Sequence, residues 1–169
     1  RGDATEAVNA VKRLTSQDKV VAILGPNASG QAISISGVLE QMKVANIATV
    51  ATNPKVTVND DGSVKPYNFR VCFIDPYQGA VAAGYAADKL SFTKAAILYD
   101  VTSDYSQGLT EFFEKTFTEK GGTIVAKEGF KAGDVDFRAQ LSKIKEAQPE
   151  VIFMPCFSLQ KLPCRHARL

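Results

Sequence analysis

Apolar residues recur along this chain in two alternating periods, and that alternation predicts the architecture. Ala7, Val8, Val11 and Leu14 fall at helical spacing over residues 5–15, and Ile35, Val38, Leu39 and Met42 repeat it over 29–43. Between these one-sided helices lies "KVVAIL", a continuous apolar run of strand length that reads as buried. After the second helix comes "ANIATVAT", which suits a parallel strand covered on both faces. The same grammar resumes downstream. A helix over 77–90 carries Val81, Ala82, Tyr85 and Ala86, "KAAILYD" is a strand, and a helix over 105–120 carries Leu109, Phe112, Phe113 and Phe117. "TIVAKEGF" follows as a strand, Phe137, Leu141 and Ile144 mark a further helix, and "EVIFMP" closes as a strand. Strand and helix alternating every roughly 25 to 30 residues predicts a doubly wound α/β protein, its parallel sheets flanked by helices.

One segment breaks this rhythm, and a lobe boundary follows it. Residues 53–67, "NPKVTVNDDGSVKPY", are polar and turn-rich, with Asp61-Gly62, and read as a surface loop or an irregular hairpin. After it "NFRVCFIDPYQGA" runs into a helix through Asp75-Pro76, a start signal with Pro at the first helical position. The boundary is placed there, giving residues 1–75 as part of an N-terminal lobe and 76–157 as part of a C-terminal lobe.

Composition narrows the function classes. The length of 169 residues suits one or two small domains, and 45% apolar residues are enough for a packed core. Lys+Arg 20 against Asp+Glu 18 gives a formal charge of +2 with no dense basic run, which argues against a nucleic-acid surface. No apolar run approaches the roughly 20 residues of a membrane span. The chain opens on "RGDATEAVNAV", with neither an initiating Met nor a signal-peptide hydrophobic region, as a processed N-terminus or an excised segment would. Cys72, Cys156 and Cys164 leave an odd thiol whatever pairs, so no disulfide framework is expected. Cys156, Cys164 and the lone His166 have the spacing C-x7-C-x-H, which matches no structural zinc pattern, and no metal or cofactor is expected.

In open α/β sheets ligands collect at the carboxyl ends of strands, which makes candidates of Gly25–Gly30, Val50–Asn53 and Asp100–Tyr105. The first, "GPNASG", has the glycine spacing of a phosphate-cradling loop. A loop of that type continues with Lys and a hydroxyl residue to hold the outer phosphates and Mg²⁺, and Gln31 and Ala32 stand in those places, so a nucleotide is not expected. An anion site remains. Ser29 sits where an N-cap belongs, and the N–H groups of Gly30 and Gln31 have no intrahelical partner, so these donors and the helix dipole favour a negative group such as one carboxylate. Equally, Ser29 caps its helix and does nothing else, a role worth about 0.5 to 2 kcal/mol.

The runs "GPNASG", "ATVATNPKVT", "FRVCFIDPYQGAVAAGYAADKL", "AAILYDVTSDYSQGLTEFFEKTF" and "GFKAGDVDFRAQLSKIKEAQPEVIFMP" together resemble, in order and spacing, the Leu/Ile/Val-binding proteins of ABC transporters. The similarity runs from about Gly2 to Phe157. It implies the type I periplasmic binding fold, two α/β lobes joined by hinge strands that close on an amino acid, and an extracytoplasmic, non-enzymatic binding component. Position by position, it implies that Ser29 and neighbouring backbone N–H groups, including that of Gly30, hold the ligand carboxylate. The Val50 C=O would accept from the ligand ammonium, Ala51 would line the same loop, and the Thr52 hydroxyl and N–H would bind ammonium and carboxylate. Tyr105, in "SDYSQG", would close over the ligand from the second lobe. Asp75 lies where the family sometimes has a cleft residue, and reads equally as a helix N-cap. Tyr77 and Tyr99 are assigned to packing, since Tyr rings are commonly half buried.

The resemblance further implies an ABC membrane permease as partner and a periplasmic or membrane-anchored extracellular location. An alternative is a ligand-sensing domain of the same fold, for an amide or amino acid, in a signalling protein. An enzyme would need a nucleophile and base facing the cleft, and no believable Ser/His or Cys/His pair exists. Related binders accept branched-chain or other amino acids, amides or aromatic acids, so the resemblance leaves the ligand itself open. The family's plan has an extra strand and helix before Arg1 and a long continuation after residue 157, so the chain reads as a fragment that self-associates or aggregates through uncovered apolar surface. Residues 158–169, "SLQKLPCRHARL" from Ser158, have no apolar period and an interior Pro163. One choice of synonymous codons for Gln160–Leu169, read two bases later, encodes EVALQARKA, so a frame-shifted tail is expected, which gene sequencing checks.

Overall fold

The computed structural model describes residues 3–156. The lengths of chain assigned to the tail, with Cys164 and His166, lie outside the described residues. The chain divides into two compact units at the Asp75–Pro76 bond.

In the first unit the order is α1 (Ala4–Ser16), β1 (Ala22–Leu24), α2 (Ser29–Met42), β2 (Ala45–Ala48) and β3 (Asn68–Arg70), the strands forming a parallel sheet in the order β1-β2-β3. Helix α1 starts where Asp3 accepts the Glu6 N–H at 2.9 Å, satisfying one of the donors every helix start leaves unpaired. Helix α2 ends at Lys43 in the left-handed region (φ 53°), which turns the chain straight into β2. Val11, Ile35, Leu39 and Val44 form the core where α1 and α2 meet, with Ile23 of β1 packed against it. Ala32, Ala48, Ala51 and Val56 form a second cluster under the carboxyl end of β2.

The sheet of this unit is buried on one face, which corrects the expectation for both of its first strands. "KVVAIL" yields only Ala22–Leu24 as strand, with Val21 87% and Leu24 75% exposed. In β2 burial alternates, Asn46 and Ala48 fully buried and Ala45 and Ile47 half-buried. The helices α1 and α2 supply apolar neighbours to one side, while Leu24 and Phe69 point to an exposed side. Between β2 and β3 the chain crosses by a 3₁₀ turn (Pro54–Val56) and an isolated antiparallel bridge, Val58–Val64, an irregular hairpin in place of a helix. Lys65 fastens this loop by donating from Nζ to the Lys55 C=O (2.7 Å) and Ser36 Oγ (3.3 Å).

The second unit contains α3 (Asp75–Gly84, the first residue belonging to the first unit), β4 (Lys94–Asp100), α4 (Asp104–Glu119), β5 (Thr123–Phe130), α5 (Arg138–Glu146) and β6 (Val151–Phe153). Helix α3 closes with a π-helical turn, Tyr85–Lys89. The parallel sheet runs β5-β4-β6, so β4 is central and is covered on both faces. Ala95 and Ile97 pack with Phe113 and Phe117, and Ala96 and Leu98 with Phe130, Phe137 and Ile144. The Phe113 ring stacks on Phe153 with centroids 4.0 Å apart and on Phe117 at 5.5 Å. A strand buried on both sides needs an unbroken apolar run, and "AAILY" within β4 is one.

Candidate functional site

All strands within each sheet are parallel, so the loops after β1 and β2 leave the first sheet at the same edge. The turn after β1 passes through Gly25 at φ +110°, a conformation that suits glycine, and a cis Gly25–Pro26 bond into α2. It does not place Ser29 at the N-cap. That position is held by Ala28, which has no side-chain cap bond, and Ser29 is the first helical residue. Freed from capping, the fully buried Ser29 reaches across to the loop after β2, where its Oγ accepts the Asn53 N–H at 3.3 Å. The expected cap is therefore replaced by a tie between two candidate loops. The N–H groups of Ser29, Gly30 and Gln31 precede the first intrahelical bond, Ala32 N–H to Ala28 C=O at 3.0 Å, and carry the positive end of a 14-residue helix.

The loop after β2 is shaped by a residue that motif reading overlooked. Arg70 of β3 donates from Nη1 to the Asn53 C=O (2.7 Å) and the Ala51 C=O (3.3 Å), and from Nη2 to Thr57 Oγ1 (3.1 Å). Burial pulls the guanidinium below its ordinary pKa, opposed by Cys72 and Asp75. The signal was a single arginine inside the otherwise apolar run "FRVCFI". Ala51 is consequently a core residue whose carbonyl is taken by Arg70, with the Cys72 sulfur also donating to it at 3.6 Å. Val50, next to it, is 50% exposed. Asn53 turns the chain by accepting the Lys55 N–H at its own side chain (2.9 Å).

Beneath this loop sits Asp75. Its N–H donates to the Thr52 C=O at 3.0 Å, and its carboxyl is fully buried with neither oxygen hydrogen-bonded among the described residues. It therefore caps nothing, and the N-cap reading of Asp75 is set aside. The Thr52 hydroxyl, also buried, lies near that carboxyl, yet no hydrogen bond of good geometry joins them. Desolvation raises the Asp75 pKa to about 6, with the Thr52 hydroxyl and the Arg70 charge working against it. The first unit thus brings Ser29, Gly30, Thr52 and Asp75 into one polar neighbourhood.

Tyr105 belongs to the second unit, at the start of α4. Ser103 caps α4 by accepting the Ser106 N–H at 3.3 Å, and the buried Ser106 accepts the Asp100 N–H (2.9 Å) while donating to the Pro155 C=O (2.5 Å). That pair of bonds pins α4 to the carboxyl ends of β4 and β6, and the Tyr105 hydroxyl accepts from Gln78 Nε2 at 3.4 Å. Tyr99 packs against the core as expected. Tyr77 does not: it is 64% exposed, because the buried stripe of α3 runs through Gly79 and Ala83. Among the described residues no group of three or more His, Cys, Asp or Glu is placed to hold a metal ion, and no helix is long and apolar enough to cross a membrane.

Parallel α/β units with polar groups gathered past the strand carboxyl ends define a protein of the ligand-binding α/β class, in its type I periplasmic-binding form. The chain belongs to the periplasmic binding protein family, whose model matches residues 1–155. It is 32% identical over 148 residues to an amino acid binding protein of Pseudomonas aeruginosa, covering 88% of this chain and 38% of that protein. In structure it is similar to the leucine binding protein LivK of Thermotoga maritima, with TM-score 0.84 and 40% identity over 91% of this chain and 42% of that one. It is also similar to the branched-chain amino acid transporter substrate binding protein LivJ of Streptococcus pneumoniae, solved with isoleucine, with TM-score 0.81, 32% identity and 92% and 42% covered. The chain spans about two fifths of the length of the relatives it matches.

Proposed function

We propose that this chain carries the amino-acid-recognition half-site of an extracytoplasmic solute-binding component of an ABC importer, and that the ligand is a branched-chain amino acid. The carrying observation is the juxtaposition in the first unit of two opposite electrostatic features. The N-terminus of α2, with Ser29 tied to Asn53, offers donors and a positive dipole end to a carboxylate. A few residues away the exposed Val50 and the Thr52–Asp75 pair offer acceptors and a buried acidic group to an ammonium. A zwitterion matches both, while a phosphate or a simple carboxylic acid matches one. Charge-assisted hydrogen bonds of this kind are worth about 1.5 to 3 kcal/mol each.

The roles assigned are Ser29 and the Gly30 N–H for the carboxylate, and Val50, Ala51 and Thr52 as the loop that meets the ammonium. Tyr105 in the second unit is retained as a ligand contact on the family resemblance alone. The relatives' names favour an amino acid, and the isoleucine in one of them favours a branched side chain. A membrane permease as partner and an extracytoplasmic location, anchored or free, accompany this reading.

The test is a thermal-shift screen of the full-length gene product against the twenty amino acids, small amides and benzoate, since a ligand that binds only the folded state raises its melting temperature. Leucine, isoleucine and valine should stabilise it most. Ser29→Ala should weaken isoleucine binding about tenfold, the loss of one charge-assisted bond. Stabilisation by benzoate and by no amino acid would reject the proposal, as would unchanged isoleucine affinity in Ser29→Ala reject the carboxylate role.

A further inference from the structure

Among the described residues of the half-site, the burial of the Asp75 carboxyl and of the Thr52 hydroxyl demands explanation. Asp75 is 0% exposed, at the start of α3, with both oxygens unpartnered among the described residues, and the neighbouring Thr52 hydroxyl at 4% exposure is unpartnered as well. An unpaired buried carboxyl and an unpaired buried hydroxyl cost more than apolar residues of the same shape would, and such groups cluster where a ligand or a proton completes them. Resting on the amino-acid reading above, we infer that Asp75 is a positioning residue: acting through the Thr52 hydroxyl, its carboxylate makes this half-site select ligands that carry an ammonium over ligands that carry a carboxylate alone.

The chemistry follows from which partner holds the proton. A hydroxyl has one hydrogen to give and two lone pairs to offer. When Asp75 is ionised it can only accept, so the Thr52 hydrogen turns toward Asp75 and the Thr52 lone pairs face the ligand, where an N–H⁺ group finds an acceptor. When Asp75 is protonated it donates to Thr52 Oγ1, the Thr52 hydrogen turns outward, and the site presents a donor that an ammonium cannot use. The same protonation removes the buried negative charge that favours a cation. Among surrounding groups Arg70 of β3 is engaged with the Ala51 and Asn53 carbonyls and Thr57, and Cys72 donates to Ala51. On α3 itself the nearest titratable residue is the mostly exposed Tyr77. Of the charged groups among the described residues, Arg70 is the one whose field reaches Asp75, and burial prevails over it and pushes the carboxyl up to about 6, within reach of experiment.

The test measures affinity by calorimetry on the full-length gene product for isoleucine and for 3-methylpentanoate, which is isoleucine without its ammonium. For one carboxyl titrating near 6, isoleucine affinity should fall about fourfold from about pH 7.5 to about pH 5.5. The affinity for 3-methylpentanoate should not fall. Asp75→Asn, which cannot titrate, should bind isoleucine about tenfold more weakly near pH 7 with a flat pH profile, and Thr52→Val should make the profile shallower, leaving only the direct effect of the Asp75 charge. A wild-type profile that is flat, or one that persists unchanged in Asp75→Asn, overturns this inference and leaves the amino-acid reading standing. If the wild type binds isoleucine at no pH, both fall.

Discussion

Replacing Asp75 by Asn should stabilise the folded chain, and by an amount that grows with pH. The carboxyl is fully buried with neither oxygen hydrogen-bonded in good geometry among the described residues, and its pKa is pushed up to about 6 against the ordinary 3.8. Burial is the largest cause, so the folded state prefers the neutral acid. A difference of about 2 pKa units corresponds to about 3 kcal/mol. The folded chain holds its proton where the unfolded chain has released it. Its contribution is therefore fully present below the unfolded value, near 3.8, and is lost as pH rises through about 6. Asparagine has nearly the same shape and no charge to desolvate. The gain over wild type should be about 1 kcal/mol near pH 4.5 and about 3 kcal/mol near pH 7.5. Urea unfolding followed by circular dichroism on the chain itself reads this as a gap in midpoint that widens between those two conditions. Equal midpoints near pH 7.5, or a gap that widens toward acid, would refute the desolvation argument. On the proposed reading, keeping an ionisable group at such a cost trades stability for a ligand site, and the pH-linked affinity proposed for Asp75 is the other side of that trade.

The second unit supplies two further tests. A Cβ at Gly79 would sit 2.7 Å from Phe112 Cβ and 2.9 Å from the Phe113 N, so Gly79→Ala should force α3 away from α4 and destabilise by about 1 to 3 kcal/mol, despite the better helix propensity of Ala; a stabilised variant in thermal melts would contradict that close approach. Ser106→Ala removes the acceptor for the Asp100 N–H and the donor to the Pro155 C=O, leaving both backbone groups without their partner, and should cost about 1 to 3 kcal/mol in urea unfolding. Faster amide exchange at Asp100 than in the wild type would locate that loss, and unchanged exchange would show that water replaces the hydroxyl.

How much of this could be read from the chain differs between its halves. The strands "KAAILYD" and "TIVAKEGF" correspond residue for residue to β4 and β5, because a strand covered on both faces or flanked by strong helices declares itself by composition. "KVVAIL" looked like another such strand and is three residues of a half-exposed edge. Apolar content records what a segment is able to bury, whereas exposure depends on which elements pack against it, and α1 and α2 lie on one face of that sheet.

At the candidate site the division is sharper. Sequence by itself determined the alternation of strands and helices, the loops at the strand ends, and, at the start of the second helix, a turn suited to an anion. Those properties follow from local period, turn chemistry and motif spacing, which act over a few residues. Tertiary structure alone decided what each group does. Ser29 sits one place inside its helix, so its hydroxyl ties two loops together instead of capping. Arg70, from a strand some twenty residues on, holds the carbonyls that give the second loop its shape. Asp75, which the Asp-Pro signal marks as a helix start, becomes a buried acid because the loop after β2 folds over it and excludes water. A pKa depends on every neighbour in three dimensions, and no one-dimensional pattern carries that information.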